Sequence, residues 1–205
     1  MPKKIFGDPS FWILLLVNLY CIYYFEKNPE GFSTIIWAYW IQSVMVGLFN
    51  FVDLLTVKNP DMSTTSNMSN LMKKGSSSTG CSAFFFLFHY QFFHVVYAIF
   101  LLTQFNGPID FSFLMITWAV ICLELIMSFI RNKQLQKTMS VNYGKLFMLP
   151  YLRIVPMHLT ILAPAFLGWK PSTIFLVLKM IADLIMYLIT RSLYGRAHQV
   201  DKLTG

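Results

Sequence analysis

The chain has 205 residues, of which 56% are hydrophobic and 12% are charged, and its mean hydropathy is +0.57. These values exclude an ordinary soluble domain, because about a quarter of the residues in such a domain are charged. The formal net charge of +7 does not indicate a nucleic-acid partner, since most lysines and arginines lie in short segments between apolar runs. In such segments, basic residues indicate how the chain is oriented in a lipid bilayer.

Six apolar stretches approach or reach the roughly 20 residues that a helix needs to cross about 30 Å of hydrocarbon. In chain order, they cover residues 9 to 25, 33 to 56, 82 to 104, 110 to 130, 147 to 168 and 171 to 191. The predicted fold class is therefore all-α: a polytopic membrane bundle of six transmembrane helices, forming a single transmembrane domain over residues 1 to 205.

Most basic residues lie on one side of the predicted membrane. With six spans, the termini share a side with the loops at 57 to 81 and 131 to 146, and only Lys27 and Lys170 lie on the other side. The basic residues on the side of the termini are Lys3, Lys4, Lys58, Lys73, Lys74, Arg131, Lys133, Lys137, Lys145, Arg191, Arg196 and Lys202. Because cytoplasmic segments carry the excess of lysine and arginine, both termini are predicted to be cytoplasmic.

Two segments outside the predicted spans are expected to lie in the cytoplasm. Residues 57 to 81 are rich in serine and threonine and have too little apolar surface to fold alone, which predicts a flexible cytoplasmic loop. Residues 195 to 205 are predicted to form a short cytoplasmic tail. The three cysteines are widely spaced and form no CxxC pair, so they indicate neither a disulfide framework nor a thiolate zinc site.

Seven charged or histidine residues lie well away from the ends of the predicted spans, where each costs several kcal/mol unless it is paired or hydrated. They are His89, His94, Glu124, Arg153, His158, Lys179 and Asp183. Such a set in one small chain predicts a shared interior site.

In span two, Tyr39, Ser43, Gly47 and Asn50 fall on one helical face, because residues three, four or seven positions apart share a face. Stripes of small and hydroxyl residues usually indicate close helix packing, since they let two helices approach and exchange hydrogen bonds. We therefore expect this face to be buried against another span.

Span three places Tyr90, Gln91, His94 and Tyr97 on one polar face, so we expect His94 to point inward. His89 lies about 140° away around the same helix. The two histidines therefore do not readily bind one metal ion.

A zinc or iron site would need His89, His94 and His158 together, with the third ligand from another helix. The alternative is that each histidine is a hydrogen-bonded residue of the bundle.

Span four carries Glu124 on the same face as Thr117, Ser128 and Arg131. An unpaired carboxylate at this depth would be protonated or would need a cationic partner from another span. The candidate partners are Arg153, Lys179 and a histidine.

Span five contains Pro150, Pro156 and Pro164, each of which removes a helical hydrogen bond, so this span is predicted to be broken by prolines. Pro156 frees a backbone carbonyl beside Arg153. Broken helices at membrane depth often border a ligand site, although a simple kink explains the prolines equally well.

In span six, Lys179 and Asp183 lie four residues apart near the middle of the span, where they can form an ion pair within the helix. Such a pair fits two interpretations. Either it belongs to a ligand site, or it neutralises itself and helps to pack the bundle.

Four blocks of the sequence carry a family resemblance: YWIQSVMVGLFN at 39 to 50, FLFHYQFFH at 86 to 94, LPYLRIVPMHLTI at 149 to 161, and LKMIADL at 178 to 184. Together they resemble prokaryotic integral membrane proteins catalogued as domain of unknown function 6498. The family pattern falls on Trp40, Gly47, Asn50, His89, His94, Arg153, His158, Lys179 and Asp183.

The resemblance implies a multi-pass protein of a prokaryotic inner membrane, and it implies no activity. Gln42 departs from the family pattern, since many relatives are expected to have an acidic residue at this position. This departure argues against a metal-binding or proton-relay role for span two.

The first functional hypothesis is a polar intramembrane cavity, open to the cytoplasm, that binds or transports a small anionic ligand or a lipid headgroup. Arg153 and Lys179 would attract the anion, and a carboxylate would hold the lysine in place. The candidate ligand-binding residues are Arg153, His158, Lys179, Asp183, His94 and Glu124.

The second hypothesis is a membrane-embedded, metal-dependent enzyme that uses the histidines as ligands around an open coordination position. The third hypothesis is a structural or partner-binding subunit, in which the polar residues only hold the helices together. The sequence does not indicate an oligomeric state, a partner protein or a substrate.

Overall fold

The computed structural model describes residues 7–57, 60–61, 77–105, 107–137, 141–152, 154 and 173–204, with side chains in the last segment described as far as residue 192. The helices are α1 (Pro9–Lys27), α2 (Phe32–Thr56), α3 (Ser77–Gln104), α4 (Phe111–Leu135), α5 (143–152) and α6 (Thr173–Thr204). A short 3₁₀ turn, Pro29–Gly31, joins α1 to α2. The strands β1 (Pro60–Asp61) and β2 (Val141–Asn142) have two residues each and pair in parallel.

Five of the described helices are long and apolar enough to cross a membrane, as expected for a multi-pass membrane protein. These segments are Pro9–Lys27, Pro29–Thr56, Gly80–Gln104, Phe111–Leu135 and Thr173–Ser192. They confirm the all-α fold class and the polytopic bundle.

Most of the predicted fifth span lies outside the described residues, including Arg153, Pro156, His158 and Pro164; its beginning forms the end of α5. Most of the predicted loop at 57 to 81 also lies outside them. The last helix, α6, continues to Thr204 and therefore includes most of the segment predicted as a tail.

Aspartates define the first residues of two membrane-spanning helices. The Asp8 side chain accepts a hydrogen bond from the Ser10 backbone N–H at 3.0 Å, and Pro9 occupies the first helical position of α1. At the start of α4, the Asp110 side chain accepts from the Phe113 backbone N–H, also at 3.0 Å. Each cap satisfies a backbone donor that the helix itself leaves without a partner.

Helix α2 lies at the centre of the described bundle, packed against α3 and α4, while α1 packs against α6 and α4. A first core cluster includes fully buried side chains of four helices, among them Cys21, Ile35, Leu101 and Leu176. Apolar contacts between helices therefore account for most of the described interior.

A second core cluster joins α2, α3 and α5 and consists of Leu54, Ala83, Phe86, Tyr90, Tyr143 and Leu146. Burial raises the pKa of the Tyr143 phenol, which precedes the predicted fifth span, to about 12. Tyr143 therefore packs in its neutral form at physiological pH.

The buried faces of α2 and α3 are the polar stripes that periodicity predicts. Tyr39, Ser43, Gly47 and Asn50 are all buried, and so is His94. The opposite face of α3 is apolar and exposed, with Phe88 at 78% exposure, as expected for a surface in contact with lipid. The predicted inward orientation of His94 is confirmed.

Candidate functional site

Lys179 is the centre of a buried polar group that we call the lysine cluster: Lys179, Asp183, Asn18, Gln42 and Tyr39. The Lys179 ammonium donates to Asp183 Oδ2 at 2.6 Å, to Gln42 Oε1 at 2.8 Å and to Asn18 Oδ1 at 3.2 Å. It also lies 3.9 Å from the centre of the Tyr39 ring. Three helices, α1, α2 and α6, therefore meet at one ammonium group.

The hydrogen bonds of the lysine cluster leave the ammonium satisfied. Its three N–H groups have three acceptors, and Lys179 is only 6% exposed. The Asn18 amide donates in turn to Asp183 at 3.3 Å and to the Leu14 carbonyl at 2.9 Å. The predicted pairing of Lys179 with Asp183 is present, and the pair is neutral and enclosed.

A second polar group, which we call the Asp8 cluster, lies where α1 begins and consists of Asp8, Arg131, Arg191, Tyr187 and Ser128. Asp8 Oδ2 accepts from Arg131, from Arg191 at 2.7 Å and from the Tyr187 hydroxyl at 2.5 Å. The Arg191 guanidinium also donates to the Tyr187 hydroxyl at 2.6 Å. This single carboxylate oxygen connects α1, α4 and α6.

The Asp8 cluster continues along α4 to the buried carboxylate of Glu124. Arg131 Nη2 donates to the Ser128 hydroxyl at 3.1 Å, and that hydroxyl donates to Glu124 Oε1 at 3.1 Å. Glu124 is 8% exposed, which confirms its predicted inward position. Of the partners predicted for it, Arg153 lies outside the described residues.

A cavity of about 120 Å³ that is open on one side borders both clusters and is lined by residues of α1, α2, α4, α5 and α6. It lies at the end of the bundle where α1 begins and α2 and α4 end. The polar side chains that line it are Asn50, Asp53, Glu124, Ser128, Arg131, Asn132, Asp183, Tyr187 and Thr190. An engineered cavity of about 150 Å³ holds benzene, so this one has room for a molecule of a few heavy atoms.

Asn50 presents a buried donor in the wall of this cavity. The residue is 9% exposed, and its Nδ2 has no hydrogen-bond partner among the residues that the structure describes. A buried N–H without a partner costs about 1–3 kcal/mol, and no described residue offsets this cost for the Asn50 amide. A ligand atom that accepts a hydrogen bond would remove this cost.

The charges around the cavity are largely paired within the protein. Asp53 forms an ion pair with Lys133 at 2.5 Å and accepts from Gln136 at 2.7 Å. Asp183 is paired with Lys179, and Arg131 with Asp8. The described lining itself has three carboxylates, Asp53, Glu124 and Asp183, and one cation, Arg131, while the lysines that pair with Asp53 and Asp183 lie outside it.

The two described histidines contact different helices. His94 Nδ1 lies 2.9 Å from the Tyr90 carbonyl and His94 Nε2 lies 2.8 Å from the Ser43 hydroxyl. Because a carbonyl only accepts, Nδ1 donates to Tyr90, while Nε2 shares the second hydrogen bond with the Ser43 hydroxyl. His89 instead lies 3.0 Å from the Tyr151 hydroxyl of α5.

Within the described ranges, no group of three or more His, Cys, Asp and Glu residues has a geometry that would hold a metal ion. The third candidate ligand, His158, lies outside these ranges. The metal site and the enzyme hypothesis built on it therefore stay predictions.

Five apolar helices of membrane-spanning length around buried polar clusters are the features of a multi-pass membrane protein. A model of a family of unknown function (DUF6498) matches residues 1–200, and the chain belongs to this family. The match confirms the resemblance that the four sequence blocks carry. No curated protein and no solved structure matches the chain.

Proposed function

We propose that the protein binds a small anionic ligand, either a free metabolite or a lipid headgroup, in the cavity at the end of the bundle where α1 begins. The acidic group of the ligand binds Arg131 and the Asn50 amide. Glu124 and Asp183, which also line the cavity, accept hydrogen bonds from the rest of the ligand.

Arg131 has donors left for such a ligand. A guanidinium has five N–H groups in a plane, a geometry that suits carboxylate and phosphate oxygens. Arg131 donates to Asp8 and to Ser128, and its side chain is 29% exposed. Arg131 also lines the cavity, so its side chain is within reach of a ligand there.

The cation proposed here to bind the ligand is Arg131, which differs from the cations proposed from the sequence. The sequence-based hypothesis relied on Arg153 and Lys179, of which the first lies outside the described residues. Lys179 is neutralised by Asp183 and is absent from the lining of the described cavity. Arg131, which the sequence places on the same face as Glu124, is the arginine that borders the described cavity.

The observation that carries the proposal is the Asn50 amide, because a buried donor without a described partner is retained at the expense of stability. Asn50→Leu is expected to weaken the binding of inorganic phosphate at least about tenfold, since a hydrogen bond to a charged group contributes about 1.5–3 kcal/mol. The same change should raise the free energy of unfolding of the ligand-free protein by about 1 kcal/mol. Calorimetric titration and thermal unfolding of the purified protein measure these two effects.

Asn28→Leu is the matched control, because Asn28 is exposed at the opposite end of α1 and lies outside the cavity. It should leave phosphate affinity unchanged. Equal affinities of wild type and Asn50→Leu would contradict the proposal. A protein that binds tetramethylammonium more tightly than phosphate would contradict the anionic character of the ligand.

The lysine cluster favours a second candidate function, that of a structural or partner-binding subunit. Each N–H of the Lys179 ammonium is satisfied inside the bundle, and the residues that satisfy it come from α1, α2 and α6. An ammonium whose N–H groups are all used within the bundle supports helix packing better than it supports ligand binding. If the protein binds none of the anions tested, this structural role becomes the better interpretation.

The orientation in the membrane belongs to the same proposal. The excess of lysine and arginine on the side of the termini supports a cytoplasmic position for the end that carries the cavity, in a prokaryotic inner membrane. The ligand then enters from the cytoplasm. Flux of radiolabelled phosphate across liposomes that contain the protein distinguishes transport from binding.

A further inference from the structure

We propose that Asp8 is a built-in competitor for the anion site: its carboxylate occupies the position between Arg131 and Arg191 that the acidic group of the ligand takes when it binds. This inference rests on the proposed function and names the regulation of that same cavity. When the anion binds, it would then replace the Asp8 carboxylate as the partner of Arg131 and Arg191.

The first argument is the geometry of a bound carboxylate. Two guanidinium groups and the Tyr187 hydroxyl converge on one oxygen, Oδ2 of Asp8. A carboxylate oxygen has two lone pairs, so three donors are more than it accepts well. A phosphate group, or a carboxylate with both oxygens free, would distribute the three donors over more acceptor sites.

The second argument is charge. Within the Asp8 cluster, the two guanidinium groups of Arg131 and Arg191 face the single carboxylate of Asp8. Arginine pairs of this kind bind phosphate and carboxylate groups strongly because they combine charge with directed N–H donors. An anion that carries more negative charge than Asp8 therefore gains more from this position.

The third argument is access. Arg131 and Tyr187 line the cavity, so a ligand already inside it contacts two of the three donors that hold Asp8. The Arg131 and Arg191 side chains are 29% and 30% exposed, while Asp8 is 6% exposed. The donors are thus partly exposed, while the competing carboxylate is buried.

The position of Asp8 in the chain fits this exchange. Asp8 precedes the first residue of α1, and among the described residues of this segment its side chain is held by the cap bond from the Ser10 N–H to Oδ1. Rotation of this side chain away from the arginines changes one helix cap and leaves the packing of the span itself in place. A conformational change of a single side chain is therefore sufficient.

Titration with inorganic phosphate tests the inference on the full-length protein in detergent. Asp8→Asn removes the competing charge and keeps a good helix cap, because asparagine caps helices as well as aspartate does. We expect about tenfold tighter phosphate binding, as when a site that is free in about one molecule in ten becomes free in all of them. Adding Arg191→Gln to this variant should remove the gain.

Asp110→Asn is the matched control, because Asp110 also caps a helix and lies at the opposite end of the bundle, beside Tyr24. It should leave phosphate affinity unchanged. Phosphate affinity of Asp8→Asn equal to or weaker than that of the wild type, with unchanged thermal unfolding, overturns the inference. So does an equal gain in Asp110→Asn.

The two proposals fail in different ways. If Asn50→Leu weakens phosphate binding and Asp8→Asn has no effect, the cavity binds an anion but Asp8 does not compete with it. If Asp8→Asn tightens binding and Asn50→Leu has no effect, the arginines bind the anion outside the cavity. Absence of binding in every variant overturns both.

Discussion

Replacing Lys179 by methionine is expected to lower the free energy of unfolding by about 3 to 5 kcal/mol, because it leaves the Asp183 carboxylate buried without its cation. Asp183 is 2% exposed and accepts hydrogen bonds from Lys179 and from the Asn18 amide. A neutral amide compensates a buried negative charge much less than a cation does. Thermal or denaturant-induced unfolding in a fixed detergent measures the change.

The double variant Lys179→Met with Asp183→Leu should recover most of this loss, since replacing a buried ion pair by apolar residues of similar size is often close to neutral. It should lose much less phosphate affinity than Asn50→Leu does, because Lys179 is absent from the cavity lining and the proposed role of Asp183 is to contact the rest of a larger ligand, which phosphate lacks. Lys145→Met, at an exposed position outside the clusters, is the control and should change stability by less than about 0.5 kcal/mol.

Two results would contradict this account of the lysine cluster. A single Lys179→Met variant as stable as the wild type would show that the ion pair is not needed to satisfy Asp183. A double variant that unfolds normally but no longer binds phosphate would assign the cluster to the ligand site.

Gly47→Ala is expected to lower the free energy of unfolding by about 3 kcal/mol, at the upper end of the usual range for overpacking. A Cβ at this position would lie 2.4 Å from the Tyr90 ring. The ring cannot move aside easily, because Tyr90 is fully buried and its hydroxyl contacts the Ser43 hydroxyl at 3.0 Å. The small residue in α2 is therefore required for the close approach of α3.

Gly80→Ala is the matched control for this substitution, and its expected effect has the opposite sign. A Cβ at Gly80 would meet no atom of the described residues within 4 Å. Because alanine is the better helix former, the variant should be more stable by about 0.5 to 1 kcal/mol. Unfolding of both variants in the same detergent checks the pair, and similar effects at the two glycines would contradict the packing argument.

The bundle and several of its buried residues follow from sequence periodicity alone. Span length predicts the helices, and a spacing of three, four or seven residues correctly selects the buried faces of α2 and α3. The ion pair of Lys179 with Asp183 is equally local, since the two residues are four positions apart on one helix. Such features need no knowledge of how the helices are arranged.

The remaining parts of the candidate site depend on tertiary structure. Asp8 lies outside every apolar run, and it is 123 residues from Arg131 and 183 from Arg191. Asn18 is a single polar residue in an apolar span, a signal that is easy to assign to helix packing. Only the arrangement of α1 against α4 and α6 brings these residues together, and no periodic pattern specifies that arrangement.

The lysine cluster has a consequence for the order in which the protein is assembled. A chain is synthesised from its N-terminus, so α1 and α2, which carry Asn18 and Gln42, are made before Lys179. The side-chain amides of these two residues accept hydrogen bonds from the Lys179 ammonium in the folded protein. Helix α6, which is made after α1 and α2, brings its own counter-ion one turn away, and Lys179 and Asp183 are therefore able to enter the lipid as a pair. Docking of α6 is then the step that brings the ammonium to the amide oxygens of Asn18 and Gln42.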